Sequence, residues 1–167
     1  VENINPLVKH PQHVTVLVQN KTGLKNLYKL ISKAHTETFF VVPQVLKSEL
    51  EKHREGLLIG TGCANSEIFE LALQKDTGAL TEALKFYDYI EIMPLDTINS
   101  EEFTREEAKE AYKLLYQVGK ELNMPIVMVS NAHFIDPEDI KARKVLLAPQ
   151  SNIEDEEANY YLRTTQE

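Results

Sequence analysis

The stretch Leu57-Leu58-Ile59-Gly60-Thr61-Gly62-Cys63-Ala64 joins an apolar run to a turn of small residues. An apolar run without polar alternation is typical of a strand that is buried on both faces of a sheet. After the turn, Asn65 or Ser66 can cap a helix, because their side-chain oxygens accept hydrogen bonds from the first free backbone amides. The stretch therefore predicts a strand, a turn and a helix in that order, which is the repeating unit of an α/β fold.

Three further segments have the apolar, β-branched composition of strands, at residues 13–19, 89–93 and 126–130. Helical patterns separate them. Thr22 is expected to cap the first helix, whose apolar residues recur at helical spacing and would bury one face: Leu24, Leu27, Tyr28, Leu30 and Ile31. Other helices are predicted over 46–54, 78–86, 100–122 and 136–147. The fold class is thus α/β, with about four mostly parallel strands covered by helices on both faces.

The composition is that of one globular domain, with 167 residues of which 43% are hydrophobic. The net charge of −8 opposes contact with phosphates, so no direct DNA binding is expected. The one cysteine, Cys63, excludes an internal disulfide, and no stretch has the roughly 20 apolar residues of a membrane span. We therefore expect a cytoplasmic protein with no membrane contact. The start of the chain has no signal-peptide character, and both ends are expected to be cuts in a longer protein.

Several catalytic motifs are missing from the sequence. It contains no Gly-x-Gly-x-x-Gly, no Walker-type loop and no Gly-x-Ser-x-Gly elbow. No apolar strand carries an Asp-x-Asp pair, which a two-metal polymerase centre would need. We therefore expect neither a nucleotide cradle nor polymerase chemistry in this chain.

Two places just beyond predicted strands could carry chemistry, because the carboxyl ends of parallel strands converge on one mouth. Cys63 lies one turn before a helix, where a thiolate could bind a metal. The alternative, which a lone cysteine by itself favours, is a small buried hydrophobe in a tight turn. Asn131 and His133 follow the last strand and could face the same mouth. A capping role for Asn131 and a packed or surface role for His133 are the alternatives.

A series of segments, in order and at matching spacing, resembles the part of the PHP domain of PolC-type DNA polymerase III α subunits that follows their inserted exonuclease domain. The segments cover residues 13–18, 23–30, 54–60 with Cys63 and Glu67, 86–92, 130–134, 143–148 and 161–165. By this resemblance residues 1–12 are a lead segment and residues 13–165 are a partial PHP domain. The resemblance implies part of a distorted seven-stranded (β/α) barrel, of which these strands would be roughly the second half.

The same resemblance implies a metal cluster at His13, Cys63 and His133, with Asn131 where the family often has Asp. The family's first metal motif, a His-x-His, has no counterpart in this sequence. The intact domain would hold Zn²⁺ or Mn²⁺, and this chain alone would bind either metal weakly or not at all.

As function, the resemblance implies a scaffold that supports polymerase and proofreading in DNA replication, with no catalysis by this chain itself. A metal-dependent phosphoesterase of the PHP type is the alternative. The expected partners are the exonuclease and polymerase domains of the same longer chain, and a second copy of this chain is a further expected partner.

Overall fold

The computed structural model describes residues 11–98, 102–148, 160–164 and 166. Its strands are short and its helices alternate with them, as the sequence predicts for a mixed α/β chain. In chain order the elements are β1 Thr15–Val18, α1 Lys21–Thr36, β2 Phe39–Phe40, β3 Val42–Pro43, α2 Lys47–Lys52, β4 Leu57–Gly60, α3 Glu67–Leu73, α4 Thr77–Leu84, β5 Ile90–Ile92, α5 Arg105–Glu121, β6 Ile126–Met128 and α6 Ile140–Leu147. Single 3₁₀ turns lie at Leu95–Thr97 and Pro137–Asp139.

Four of these strands lie side by side in the order β1, β4, β5, β6. β5 and β6 pair in parallel from Ile90↔Ile126 to Ile92↔Met128. β4 adjoins β5 through a parallel bridge between Gly60 and Tyr89. β1 is antiparallel to β4, with Thr15 opposite Gly60. The prediction of mostly parallel strands therefore needs correction at β1.

The direction of β4 follows from the path between the two strands. A single crossover helix would return the chain parallel to β1. Here α1, the β2–β3 hairpin and α2 all intervene, so the rule for a single crossover helix does not apply, and β4 pairs with β1 in the antiparallel sense. The hairpin pairs Phe39 with Pro43, which is too short a run to be recognised as two strands from its sequence.

The helices cover one face of this sheet. Ile59 and Ile90 point to that face and are fully buried, together with Ile68, Leu80 and Leu84 of the covering helices. Phe69 of α3 packs between Phe103 and Tyr112, with ring centroids 5.3 and 5.0 Å away. Each such side chain contributes roughly 1.5–3 kcal/mol of hydrophobic stabilisation.

Among the described residues, no helix covers the other face of the sheet, which corrects the prediction of helices on both faces. Because side chains alternate along a strand, Thr15 and Leu17 share this face with Glu91 of β5 and with Val127, the cross-strand partner of Glu91. Leu17 is 48% exposed and Val127 is 40% exposed. We call this surface the open sheet face.

Helix α1 begins at a different residue from the predicted one. Asn20, not Thr22, is the N-cap, and its Oδ1 accepts from the amides of Thr22 at 2.9 Å and Gly23 at 3.0 Å. Gly23 lies against the turn before β4, where an added Cβ would be 1.8 Å from the carbonyl oxygen of Gly56. A glycine at this position therefore lets α1 approach the sheet closely.

This close approach changes which face of α1 is buried. The buried residues are Gly23, Leu30 and Ala34, two of which have small side chains. Leu24, Tyr28 and Ile31, which the spacing assigned to the buried face, are instead exposed. The helix therefore packs against the rest of the protein through these three residues and leaves a stripe of apolar side chains exposed.

Helix α5 begins later than its acidic first residues suggest. Thr104 is the N-cap and forms a capping box with Glu107, so the helix starts at Arg105 and not at Ser100. The predicted start at Ser100 and Glu101 lies outside the described residues. Within the described part of the chain, no helix is long and apolar enough to cross a membrane.

Candidate functional site

His13 and Cys63 lie in contact at one end of the open sheet face. Cys63 follows β4 in the small-residue turn, and His13 precedes β1 by two residues. Because β1 is antiparallel to β4, the start of β1 adjoins the carboxyl end of β4. The antiparallel pairing therefore brings His13 to the same mouth as residues that follow parallel strands.

The geometry of this pair is fixed by the backbone. The amide of His13 donates to the carbonyl of Asn65 at 3.0 Å. Gly62 has a φ of +77°, and a Cβ there would lie 2.8 Å from the carbonyl oxygen of His13. The two chain segments can approach this closely because residue 62 has no side chain. The result is a distance of 3.2 Å between Nδ1 of His13 and Sγ of Cys63.

Asn131 and His133 follow β6, as predicted, but their described contacts do not join them to this pair. Asn131 has a φ of +50°, and its Nδ2 donates to the carbonyl of Thr97 at 3.4 Å. The amide of His133 donates to Tyr160 at 2.7 Å, and its exposed ring packs edge-on against the Tyr160 ring, 5.1 Å between centroids. Among the described residues, no three His, Cys, Asp or Glu side chains form a group that could hold a metal.

Glu91, which the sequence analysis did not single out, forms a polar network below His13. One carboxylate oxygen accepts from the hydroxyl of Thr15 at 3.0 Å, and the other accepts from Tyr89 at 2.9 Å. The amide of Glu91 donates to Thr61 Oγ1 at 2.9 Å. Glu91 is only 8% exposed, so these partners compensate the loss of water around its charge.

A signal for Glu91 is present in the sequence. In Tyr89-Ile90-Glu91-Ile92-Met93 the polar residues alternate with isoleucines, which places Tyr89 and Glu91 on one face of the strand. A charged residue within a buried strand indicates a partner on the same face.

Tyrosine hydroxyls around the network stay protonated. Burial, followed by the hydrogen bond to Glu91, raises the pKa of Tyr89 above its ordinary range. Burial raises the pKa of Tyr112 in the same direction, with smaller contributions from Cys63 and Glu91 nearby. The Tyr112 hydroxyl lies near the backbone of Met93 but makes no hydrogen bond of good geometry there. Both groups are therefore neutral donors, and Tyr89 uses its proton to hold Glu91.

His13 and Cys63 have the geometry of two ligands in the coordination shell of a metal ion. With Zn–S about 2.3 Å and Zn–N about 2.0–2.1 Å, two ligands of a tetrahedral zinc ion lie about 3.6 Å apart. The observed 3.2 Å between Nδ1 and Sγ is close to that distance. Thiolate and imidazole are donors that suit zinc. His13 and Cys63 can thus supply two ligands, and a full shell needs more.

In this α/β sheet, Cys63 and His133, whose side chains can ligate metals, follow the ends of strands. Many α/β proteins have their functional site at the carboxyl edge of the sheet. The family model described as the PHP domain matches residues 3–96, which is more than half of the chain. The chain belongs to the PHP domain family.

Curated relatives match over most of this chain. A protein of Thermotoga maritima is 51% identical in an alignment of 162 residues that covers 94% of this chain and 12% of that protein. A protein of Thermotoga petrophila is 48% identical across the whole chain and 13% of its own length, and one of Bacillus subtilis is 41% identical over 84% of the chain. All three bear the name DNA polymerase III PolC-type. The chain spans about an eighth of the length of the two Thermotoga proteins.

Proposed function

We propose that this chain is part of the PHP domain of a PolC-type DNA polymerase III α subunit and serves there as a scaffold for polymerase and proofreading domains. The observation that carries the proposal is identity of 41–51% to proteins of that name over 84% or more of the chain. The PHP family match over residues 3–96 agrees with it.

The open sheet face supports a scaffold role. It exposes Leu17 and Val127, and in the described residues β1 and β6 are the edges of the four strands. Apolar strand faces and free strand edges favour pairing with further strands. In the intact protein, the strands that precede the exonuclease insertion would cover this face and complete a distorted seven-stranded barrel.

The complete open reading frame of the gene is the first test. We expect it to continue on both sides of residues 1–167 into exonuclease and polymerase segments. A frame that encodes only this domain would contradict the scaffold proposal.

The purified chain is expected to show no template-directed primer extension. Extension by the pure chain would contradict the assignment of polymerase chemistry to other segments.

A second candidate function, a metal-dependent phosphoesterase, is favoured by the contact between His13 and Cys63. These residues would hold Zn²⁺ or Mn²⁺, with Asn131 and His133 as further ligands once the missing part of the domain is present. The metal would supply an activated water.

The longer protein, not the isolated chain, is the proper material for testing this second function. Metal content and hydrolysis of bis(p-nitrophenyl) phosphate would be measured with Mn²⁺ or Zn²⁺ added. Phosphoesterase activity predicts hydrolysis that is lost in Cys63→Ala and retained in Cys63→Asp, because a carboxylate can still ligate the metal. Metal-independent or Cys63-independent hydrolysis would assign the activity to another site.

A further inference from the structure

Helix α1 differs from the rest of the chain in charge. It contains four lysines and no acidic residue, whereas the whole chain carries a net charge of −8. Acidic residues near a helix N-terminus and mixed charges along its surface are the usual stabilising pattern. α1 has neither, so its charge distribution calls for another explanation.

The lysines lie beside an exposed apolar stripe. With 100° between successive residues, the buried Gly23, Leu30 and Ala34 define the inner face of α1. The opposite side holds two adjacent rows, and we call them together the α1 outer face. One row is Lys21, Lys25 and Lys29, and the other is Leu24, Tyr28 and Ile31. Tyr28 is 60% exposed and Ile31 is 46% exposed.

The three lysines are not neutralised by the described part of the chain. Lys33 pairs with Glu49 on α2, but Lys21, Lys25 and Lys29 have no carboxylate within ion-pair distance among the described residues. A row of unpaired cations beside exposed apolar side chains is the pattern of a polar rim and an apolar centre in a protein interface.

The β2–β3 hairpin extends this apolar surface at the C-terminal end of α1. The ring of Phe39 lies 6.4 Å from that of His35, and Phe39 is 55% exposed. At the tip of the hairpin, Val41 is 81% exposed and has a φ of +61°. A β-branched residue pays a steric cost in this conformation. The sequence thus keeps a strained valine in water beside the helix.

The side chains on this surface favour a protein over a nucleic acid as occupant. Single-stranded nucleic acid is held by cations and by aromatic rings that stack on bases. Tyr28 and Phe39 can stack on bases. The other exposed apolar side chains of this surface are aliphatic and offer no such stacking: Leu24, Ile31, Val41 and Val42. They suit the apolar side of an amphipathic helix, while the lysine row suits carboxylates on its polar side.

We propose that the α1 outer face, with the tip of the β2–β3 hairpin, docks an acidic amphipathic segment from another part of the same longer polypeptide. This source rests on the proposed function, since the Thermotoga relatives have about seven-eighths of their length outside the region matched. Carboxylates of the segment pair with Lys21, Lys25 and Lys29. Its apolar side chains cover Leu24, Tyr28 and Ile31.

Binding of a defined peptide tests the chemistry of this surface. The probe is a synthetic helix of about 20 residues with leucines on one face and glutamates on the other, and its matched control has lysine at every glutamate. We expect the glutamate peptide alone to bind, with affinity that falls roughly 10-fold between about 50 and about 300 mM salt. Equal binding of both peptides would overturn the proposal.

Two variants locate the binding. Lys21→Glu, Lys25→Glu and Lys29→Glu together should weaken it by about 100-fold, and Tyr28→Ser by about 10-fold. The matched control reverses Lys120, Lys141 and Lys144, which changes net charge equally and lies elsewhere; it should alter binding by less than about 3-fold. Loss in both triple variants, or no effect of Tyr28→Ser, would show nonspecific charge attraction. Binding of oligo(dT), but not the peptide, at this face would reassign it to nucleic acid.

Zero-length coupling of lysine amines to carboxylates in the full-length protein tests the source of the segment. We expect Lys25 or Lys29 to couple to acidic residues of one segment outside residues 1–167. Couplings only to a separate protein, or none, would refute the intramolecular source. If the gene encodes no longer protein, the proposed function fails at that point, while the peptide experiment still decides whether the surface is an acidic docking site.

Discussion

At the scale of single residues, the polar network depends on a glycine. Gly60 lies opposite Thr15, and the ring of Tyr89 passes over it on the way to Glu91. A Cβ at residue 60 would lie 2.4 Å from Cζ of Tyr89. Because β4 separates β1 from β5, the link from Thr15 to Glu91 crosses the sheet at a position where a side chain would obstruct it.

Gly60→Ala is therefore expected to destabilise the fold by about 1–3 kcal/mol, since the tyrosine ring must leave its position. Gly78→Ala on α4 is the matched control, because its Cβ would meet only Asp76 Oδ1, at 3.6 Å. That substitution should stabilise by about 0.5 kcal/mol through reduced freedom of the unfolded chain. Urea unfolding measures both. If Gly60→Ala costs as much in a Tyr89→Ala background as alone, contact with the ring is not the cause.

At the scale of elements, the sequence predicts what depends on local pattern. The strands at β4, β5 and β6 were predicted, and so was a cap of α3 at Asn65 or Ser66, of which the structure has Ser66. Apolar runs and capping residues act over only a few positions. The antiparallel β1 was not, because its direction depends on the whole path through α1, the hairpin and α2. The outward turn of Leu24, Tyr28 and Ile31 was missed for a related reason: the contact between Gly23 and Gly56 joins distant segments.

The candidate site shows the same division. Cys63, Asn131 and His133 were singled out by their position after strands, which is local information. His13 came from family resemblance alone, and its contact with Cys63 depends on the antiparallel β1. A metal role for the four residues stays a prediction. Glu91 had a local signal, yet its partner Thr15 lies 76 residues away in the sequence.

The capping box of α5 should carry measurable stability. The hydroxyl of Thr104 accepts a hydrogen bond from the amide of Glu107. The Glu107 carboxylate in turn accepts from the amide of Thr104, and this hydrogen bond lowers the pKa of Glu107. Thr104→Ala is expected to cost about 1 kcal/mol, because amides at the helix start lose their partner. Thr81→Ala is the control, since Thr81 donates only within α4 and alanine is the better helix former. Equal losses in urea unfolding would argue against the capping box.

The ion pair between Lys33 of α1 and Glu49 of α2 is expected to make the stability of the fold depend on pH. Hydrogen bonds from Lys33 and Lys52 lower the pKa of Glu49 from 4.5 to about 2. A carboxylate with a lowered folded-state pKa stabilises the fold above its unfolded pKa, and that contribution is lost as the pH falls toward the folded value. The stabilisation should therefore be complete above about pH 5 and decline between about pH 4.5 and 2.

Lys33→Met tests this link, with Lys29→Met as a control that removes the same charge from the same helix. Free energies of unfolding would be measured in urea from pH 7 to the acid limit. The Lys33→Met protein should be less stable than wild type at neutral pH, and the gap should narrow as Glu49 protonates. The free energy of unfolding of the Lys29→Met control should change with pH in the same way as that of wild type. A gap that stays constant with pH would assign the effect of Lys33 to packing.

At the scale of the whole molecule, the two faces of the sheet differ in kind. One face is sealed by helices over Ile59, Ile90 and their neighbours. The other holds the polar network, the His13–Cys63 pair and exposed Leu17 and Val127. Leu17 and Val127 leave apolar surface in water on this face, and each Å² of exposed apolar surface costs roughly 25 cal/mol. In the part of the chain that the structure describes, β1 and β6 also have unpaired edges, which favours association with another chain.

We accordingly expect the isolated chain to self-associate through the open sheet face at micromolar concentration. Leu17→Lys with Val127→Lys should shift it toward monomer, because each lysine places a charge against the incoming sheet and leaves the helix-covered core unchanged. The control is Val145→Lys with Leu146→Lys on α6, where both side chains are more than 70% exposed and the charge change is equal. Helix α6 offers no strand edge, so this control should associate as wild type does. Light scattering across a concentration series distinguishes the cases. A wild-type chain that stays monomeric throughout, or a control that dissociates as fully as the sheet variant, would show that the open face does not drive association.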